Sequence, residues 1–205
     1  MDANSAPLTP IVIFDEFLVV EEWRGLLDYA LSSAESFRQT EVIGPDGGSL
    51  LDLQNRRSRV LFELGPYDSL FWHRLLTFLP QVLLRLGLPE FGVSQLEIQL
   101  TATNQNEFFR AHTDNESQGV QGRAITFVYF FHREPRGFDG GELRIFDTEL
   151  HDGRAVAVGP SRLVYPDQNQ AVFFSSSCLH EILPVFCPSE DFADSRFTVN
   201  GWFHR

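Results

Sequence analysis

The sequence predicts an α+β fold, with helices gathered in the first half of the chain and a two-sheet β core behind them. Three observations carry that expectation. Apolar residues recur at helical spacing only before Glu90, short alternating runs fill the chain from Ser94 onward, and Gly, Pro, Asn and Asp punctuate the gaps between those runs. No internal repeat, low-complexity tract or linker divides the sequence. One domain over residues 1–205 is expected, with helical support at residues 15–90 and the β core at residues 94–205.

The elements follow in order. Ile11-Val12-Ile13-Phe14 is a short β-type run. Trp23, Leu26, Leu27, Ala30 and Leu31 then take the i, i+3, i+4, i+7, i+8 pattern of an amphipathic helix, and Glu21 and Glu22 suit the positive end of its dipole. Residues 41–59 read as a mobile loop: Gly44-Pro45-Asp46-Gly47-Gly48 is turn chemistry, followed by a polar and basic segment. A second helix is expected over residues 68–86 through Leu75, Leu76, Leu79, Leu83 and Leu86. Pro80 should kink or restart it, and Gly87 with Pro89 should end it. Residues 95–103 alternate, with Leu96, Ile98 and Leu100 on one face and Glu97, Gln99 and Thr101 on the other. Further strands are expected at residues 108–112, 124–131, 142–146, 170–174, 179–185 and 196–203. Residues 186–194 read as a polar insertion, and Gly140-Gly141 as a tight turn with no contact to substrate.

Composition narrows the function. A chain of 205 residues can bury a sizeable core, and 20 phenylalanines call for a rigid aromatic interior. The formal charge of −12 argues against a broad footprint for nucleic acid or an anionic membrane, although Arg56, Arg57 and Arg59 form a small basic patch. Two cysteines, Cys178 and Cys187, do not make a disulfide framework. No charged-then-apolar leader opens the sequence and no apolar run reaches membrane-spanning length, so a soluble cytoplasmic protein is the expectation.

The chemistry is concentrated in a few residues. His112-Thr113-Asp114 places two potential ligands at i and i+2, on one face of a strand. Six histidines and thirteen aspartates give about 0.4 such triplets by chance, so context has to decide. The pair ends an aromatic strand, and His180 opens another apolar run after Ser175-Ser176-Ser177. Two imidazoles and a carboxylate with an open opposite face suit non-haem Fe(II) chemistry. Structural zinc would ask for a fourth ligand, for which Cys178 is the nearest in sequence. Arg196 opens a strand whose same-face residues are Thr198, Asn200 and Trp202. A core arginine needs an anion, either a salt-bridge partner or a bound carboxylate.

From Pro10 to Arg205 the chain resembles the 2-oxoglutarate- and Fe(II)-dependent dioxygenases, in their prolyl-4-hydroxylase-like branch. The resemblance rests on Phe108-Phe109-Arg110-Ala111-His112-Thr113-Asp114, Arg123-Ala124-Ile125-Thr126-Phe127-Val128-Tyr129-Phe130 and Gly140-Gly141-Glu142-Leu143-Arg144-Ile145-Phe146. It continues in Val172-Phe173-Phe174, His180-Glu181-Ile182-Leu183-Pro184-Val185 and Arg196-Phe197-Thr198-Val199-Asn200-Gly201-Trp202. It implies a double-stranded β-helix, or jelly roll, with iron at one mouth. His112, Asp114 and His180 match the iron ligands, and Arg196 matches the partner of the distal carboxylate of 2-oxoglutarate. Thr198, Asn200, Trp202 and Tyr129 are the further co-substrate candidates. Tyr129 falls one residue from the family's tyrosine position, which holds Phe130, and residues 101–104 stand where a tyrosine is frequent. The implied cofactors are Fe(II), 2-oxoglutarate and O₂, with ascorbate as a reductant. The implied reaction is hydroxylation of an unactivated C–H bond, with proline in a protein, peptide or free form as the expected target. The carboxylate ligand argues against halogenation. Arg123, Arg56 and Arg57 are the candidate substrate contacts, and residues 41–59 the candidate lid. The rival readings are the same chemistry on another small metabolite and a non-catalytic jelly-roll binding module.

Overall fold

The computed structural model of the chain describes residues 9–43 and 49–205. The first half runs β1 (Ile11–Phe14), α1 (Val20–Ser32), β2 (Arg38–Gln39), β3 (Val42–Ile43), β4 (Ser49–Leu50), β5 (Arg56–Arg57), β6 (Arg59–Leu61) and α2 (Tyr67–Leu86). Then come β7 (Gln95–Thr103), β8 (Phe108–His112), β9 (Arg123–Phe131), β10 (Asp139–Gly140), β11 (Leu143–His151) and β12 (Arg154–Val164). The last strands are β13 (Gln170–Ser175), β14 (His180–Ile182), β15 (Val185–Phe186) and β16 (Arg196–His204). They form a seven-stranded sheet in the order β1-β13-β9-β16-β7-β6-β2 and a five-stranded sheet in the order β12-β11-β14-β8-β5. Two antiparallel sheets facing each other, with helices on the outside of the larger one, make the two-sheet core that the sequence pattern predicts and the jelly roll that the family resemblance implies.

Strand alternation decides what each face does. On the helix side of the large sheet lie Leu96 and Leu100 of β7, Phe127, Tyr129 and Phe131 of β9, Phe173 of β13, and Phe197, Val199 and Phe203 of β16. Trp23, Leu26, Leu27 and Ala30 of α1 and Phe71, Leu75, Leu79, Val82, Leu83 and Leu86 of α2 close over them. A fully buried leucine or phenylalanine contributes about 1.5–3 kcal/mol, so this layer is the main source of stability. The inner face divides in two. Val128, Phe130, Val172 and Phe174 pack with Leu143, Ile145 and Val164 of the small sheet at one end. At the other, Glu97, Gln99, Thr101, Thr103, Thr198, Asn200 and Trp202 stay polar and line a cavity. Gly201 lets β16 and β7 close up, since a Cβ there would stand 1.9 Å from the Glu97 carbonyl oxygen.

Several expectations are corrected. Residues 56–61 are not a mobile loop: β5 pairs with β8 on the small sheet, and β6 pairs with β7 on the large one, so this stretch steps from one sheet to the other. The Gly44-to-Gly48 turn lies outside the described residues. Pro80 does not start a new helix: α2 runs through it, because it sits on the solvent side, where the carbonyl it leaves without a donor can meet water. Gly87 at φ 68° caps the helix as expected. β11 runs on to His151, and β12 stands where no strand was expected. It is a sheet edge, mostly exposed, with Val158, Gly159 and Pro160 bulged opposite Asp147, so no burial periodicity marks it. Residues 179–185 break into β14 and β15. Residues 186–194 hold a buried Cys187, and their Phe192 packs on Phe37 and Phe197. No helix among the described residues is long and apolar enough to cross a membrane.

Candidate metal and co-substrate site

His112 ends β8, His180 opens β14, and the two are paired across the ladder. A register shift just before His112 places an extra residue in β8, and a bulge re-aims the side chains beside it. Phe109 and His112 therefore face the cavity together, their rings stacked with centroids 3.5 Å apart. Asp114 follows where the strand opens, its amide donating to the Ser176 carbonyl at 3.0 Å. The ligand atoms of His112, Asp114 and His180 all lie within 4.8 Å of one another. Nε2 of His112 is 3.5 Å from Asp114 Oδ1, and Nε2 of His180 is 3.4 Å from Oδ2.

The histidine tautomers suit a metal. Nδ1 of His112 lies 2.8 Å from the Arg110 carbonyl, and Nδ1 of His180 lies 2.9 Å from the Cys178 carbonyl. A carbonyl only accepts, so each Nδ1 carries its proton and each Nε2 lone pair is free for an ion. Burial pushes the His180 pKa down to about 4, against the pull of Asp114, so this imidazole is neutral at physiological pH. Burial alone would raise the Asp114 carboxyl. The neighbouring imidazoles and a 2.7 Å hydrogen bond donated by Thr126 more than offset it and hold the group far below the usual carboxylate range. Cys178 faces an apolar cluster, and among the described residues only His112, Asp114 and His180 bring their ligand atoms together, so it does not stand as a fourth ligand. Two imidazoles that each keep Nε2 for an ion, one anionic carboxylate and a cavity beside them fit Fe(II).

Arg196 is 2% exposed and its Nε and Nη2 have no hydrogen-bond partner. Its guanidinium lies 5.0 Å from the Phe130 ring centroid. Burial pushes its pKa down to about 9, Glu142 acting against this, so it remains a cation at neutral pH. Gln99 Nε2 and Trp202 Nε1 are also buried and unpartnered, and all three residues line the same cavity. Four unsatisfied donor atoms on three residues, one of them charged, fit a polar anion such as 2-oxoglutarate. Thr198 and Asn200 line the cavity too, with the Thr101 hydroxyl donating to Asn200 Oδ1 at 2.8 Å.

Tyr129 does not belong with them. It is fully buried on the helix side between Phe17, Phe71 and Phe131, and its hydroxyl donates to Asn169 Oδ1 at 2.9 Å. The two-residue period of β9 turns Phe130 to the inner face and Tyr129 away from it. Arg123 does line the cavity, but its guanidinium bonds the Glu97 carboxylate, lies 3.7 Å from the Trp202 ring centroid and donates to the Asp114 carbonyl at 3.3 Å. It braces the site. His204 Nε2 bonds Glu97 Oε1, the oxygen that also accepts from Arg123 Nε. Arg56 stacks 4.6 Å above Phe109, and Arg57 lies exposed at the rim; both line the cavity. Burial pulls Arg56 down to about 10.

Sequence reasoning missed Thr126, Gln99 and Gly141. A Cβ on Gly141, at φ 69°, would stand 2.6 Å from Arg196 Cδ, so the glycine pair leaves room for the arginine stem rather than serving only as a turn. The cavity occupies about 910 Å³ and runs from His180 and Arg196 out to Arg38, Val42 and Phe62.

Comparison with known proteins agrees with this geometry. The family model of the 2OG-Fe(II) oxygenase superfamily matches residues 98–204. An uncharacterized PKHD-type hydroxylase of Synechocystis sp. is 37% identical over 191 residues, which are 92% of this chain and 61% of that protein. The chain thus spans about three fifths of the length of the curated relative that it matches. A Pseudomonas putida prolyl-4-hydroxylase superposes with a TM-score of 0.69 at 19% identity, covering 96% of this chain and 94% of that one. A Trichoplax adhaerens prolyl hydroxylase, solved with a peptide fragment of the hypoxia inducible factor oxygen degradation domain, gives 0.67 at 14% identity, covering 96% and 84%.

Proposed function

The chain belongs to the 2OG-Fe(II) oxygenase superfamily, and on that footing we propose that it hydroxylates a C–H bond of a peptide substrate, with a prolyl residue as the first target to test. One observation carries the reading: a buried guanidinium without a partner shares a cavity with two imidazoles and a carboxylate whose ligand atoms converge. His112, Asp114 and His180 would hold Fe(II), and Arg196, supported by Gln99 and Trp202, would hold 2-oxoglutarate. Together with O₂ these groups supply the oxidising power for the overall change R–H + 2-oxoglutarate + O₂ → R–OH + succinate + CO₂.

The residues of the chain bind, orient and shield. The Arg110 and Cys178 carbonyls fix both imidazole rings, and Thr126 holds one oxygen of Asp114 so that the other is directed. Val128 and Leu143 give the cavity floor an apolar, water-poor lining. A cavity of about 910 Å³ is larger than free proline requires, which favours a substrate carried on a longer chain. The cofactor reading comes from the family, while the peptide reading also draws support from the two prolyl hydroxylase neighbours.

Incubation with Fe(II), 2-oxoglutarate and a set of proline-containing peptides is expected to yield succinate and a mass gain of one oxygen on a peptide. Asp114→Ala should abolish both. Oxidation of small metabolites, with every peptide unmodified, would overturn the peptide assignment.

A further inference from the structure

We propose that the outer half of the cavity reads acidic side chains through Arg57 and Arg110, so that the substrate is a peptide carrying carboxylates next to the oxidised residue; this rests on the oxygenase reading above. The argument begins with charge. Acidic residues outnumber basic ones 28 to 16, and every basic residue is an arginine. Yet the cavity is lined by six arginines (Arg38, Arg56, Arg57, Arg110, Arg123 and Arg196) against four carboxylates (Glu41, Asp52, Glu97 and Asp114). Two of those carboxylates are committed inside, Glu97 to Arg123 and His204, and Asp114 to the histidine cluster. Asp52 accepts from the Asn55 side chain and from the amides of Gln54 and Asn55. An anionic protein that gathers its cations around one opening presents a local field opposite to its own.

Arg57 and Arg110 are also prepared to bind. Arg57 Nε donates to the Leu53 carbonyl at 2.8 Å, and Arg110 Nε donates to the Gln54 carbonyl at 2.7 Å. Their guanidinium carbons lie 5.4 and 5.3 Å from the centroid of one ring, Phe108. Each head is therefore fixed in direction with its terminal amino groups left over, which lowers the entropy lost on gripping a carboxylate. Ion-paired arginines among the described residues are Arg74, Arg123, Arg133, Arg136 and Arg144. The two at the rim are not in that group. Phe62, 66% exposed on the same rim, adds an apolar surface for peptide side chains. A nucleic acid would offer anions too, but its evenly spaced phosphates would meet the net charge of −12 beyond this small patch.

The test uses the protein loaded anaerobically with Fe(II) and 2-oxoglutarate, and three fluorescein-labelled probes. One is a peptide with a central proline flanked by glutamates, one has glutamines in their place, and one is oligo-dT. Anisotropy should show the glutamate peptide binding about tenfold tighter than the glutamine one, with the gap closing at high salt. Arg57→Gln should narrow the gap several-fold while leaving the visible absorption of the Fe(II)–2-oxoglutarate complex unchanged, and adding Arg110→Gln should abolish the gap. Equal affinity for both peptides, failure of the glutamate peptide to bind, or tighter binding of oligo-dT would overturn the proposal. The absorption band reports separately on the oxygenase reading: a band without the peptide preference removes this inference and leaves that reading standing.

Discussion

A guanidinium that is 2% exposed, with two N–H groups lacking partners, is held in place against a desolvation cost that the protein alone does not offset. The neighbouring residues look arranged for its sake. Gly141 clears space for the Arg196 stem, and Phe130 offers its ring face. Gly141→Ala should push the arginine aside and raise the KM for 2-oxoglutarate about tenfold, with kcat much less affected, as steady-state kinetics would show. Tyr129 makes the contrast. Tyr129→Phe should cost about 1 kcal/mol in a denaturant titration, through the lost bond to Asn169, and leave the KM for 2-oxoglutarate unchanged. His112, Asp114, His180, Arg196 and Trp202, all singled out from the sequence, line one cavity, and they could be singled out because i, i+2 spacing and strand alternation are local rules. Gln99 and Thr126 escaped it. Each was visible on an alternating strand, but what faces them depends on which strands pair, and the pairing is not local.

Among the elements, the long strands and both helices were legible because each buries one regular stripe. Residues 56–61 were not: Arg-Arg-Ser-Arg has no apolar period, and its strands form only because the edges of β8 and β7 offer unpaired backbone. The same cause hid β12. The outer helical layer predicts large effects at single positions. Phe71, fully buried between Phe17 and Tyr129, should cost about 3–5 kcal/mol when replaced by alanine, measurable by urea unfolding. The strand-end cysteines predict a quieter result. Both are buried away from reagent, and burial pushes the Cys178 thiol up to about 11, so almost no Cys178 thiolate forms near pH 8. Iodoacetamide should label neither cysteine in the native protein and both after unfolding, as mass spectrometry would count.

At the scale of the molecule, the large sheet separates two tasks. Its outer face carries the aromatic core against the helices, and its inner face is apolar at one end and polar at the other, where the orphaned donors line the cavity. The division follows from period-two alternation along β7, β9 and β16, which is why the fold class could be read in advance while the short strands of residues 56–61 could not. Ligands that fill such a site stabilise the fold by mass action. Saturating Fe(II) and 2-oxoglutarate, at about 100 times the Kd, should add about 2.7 kcal/mol and raise Tm by about 5–10 °C in an anaerobic melt, and a chelator should reverse the shift. The central claim is that one cavity holds Fe(II) on His112, Asp114 and His180 and 2-oxoglutarate on Arg196. It is tested most directly by adding 2-oxoglutarate, without oxygen, to the Fe(II)-loaded protein and recording the visible spectrum. A metal-to-ligand charge-transfer band that is absent in Asp114→Ala and needs far more 2-oxoglutarate in Arg196→Gln is the expected result. No band in the wild-type protein, or an Arg196→Gln titration identical to it, would contradict the account.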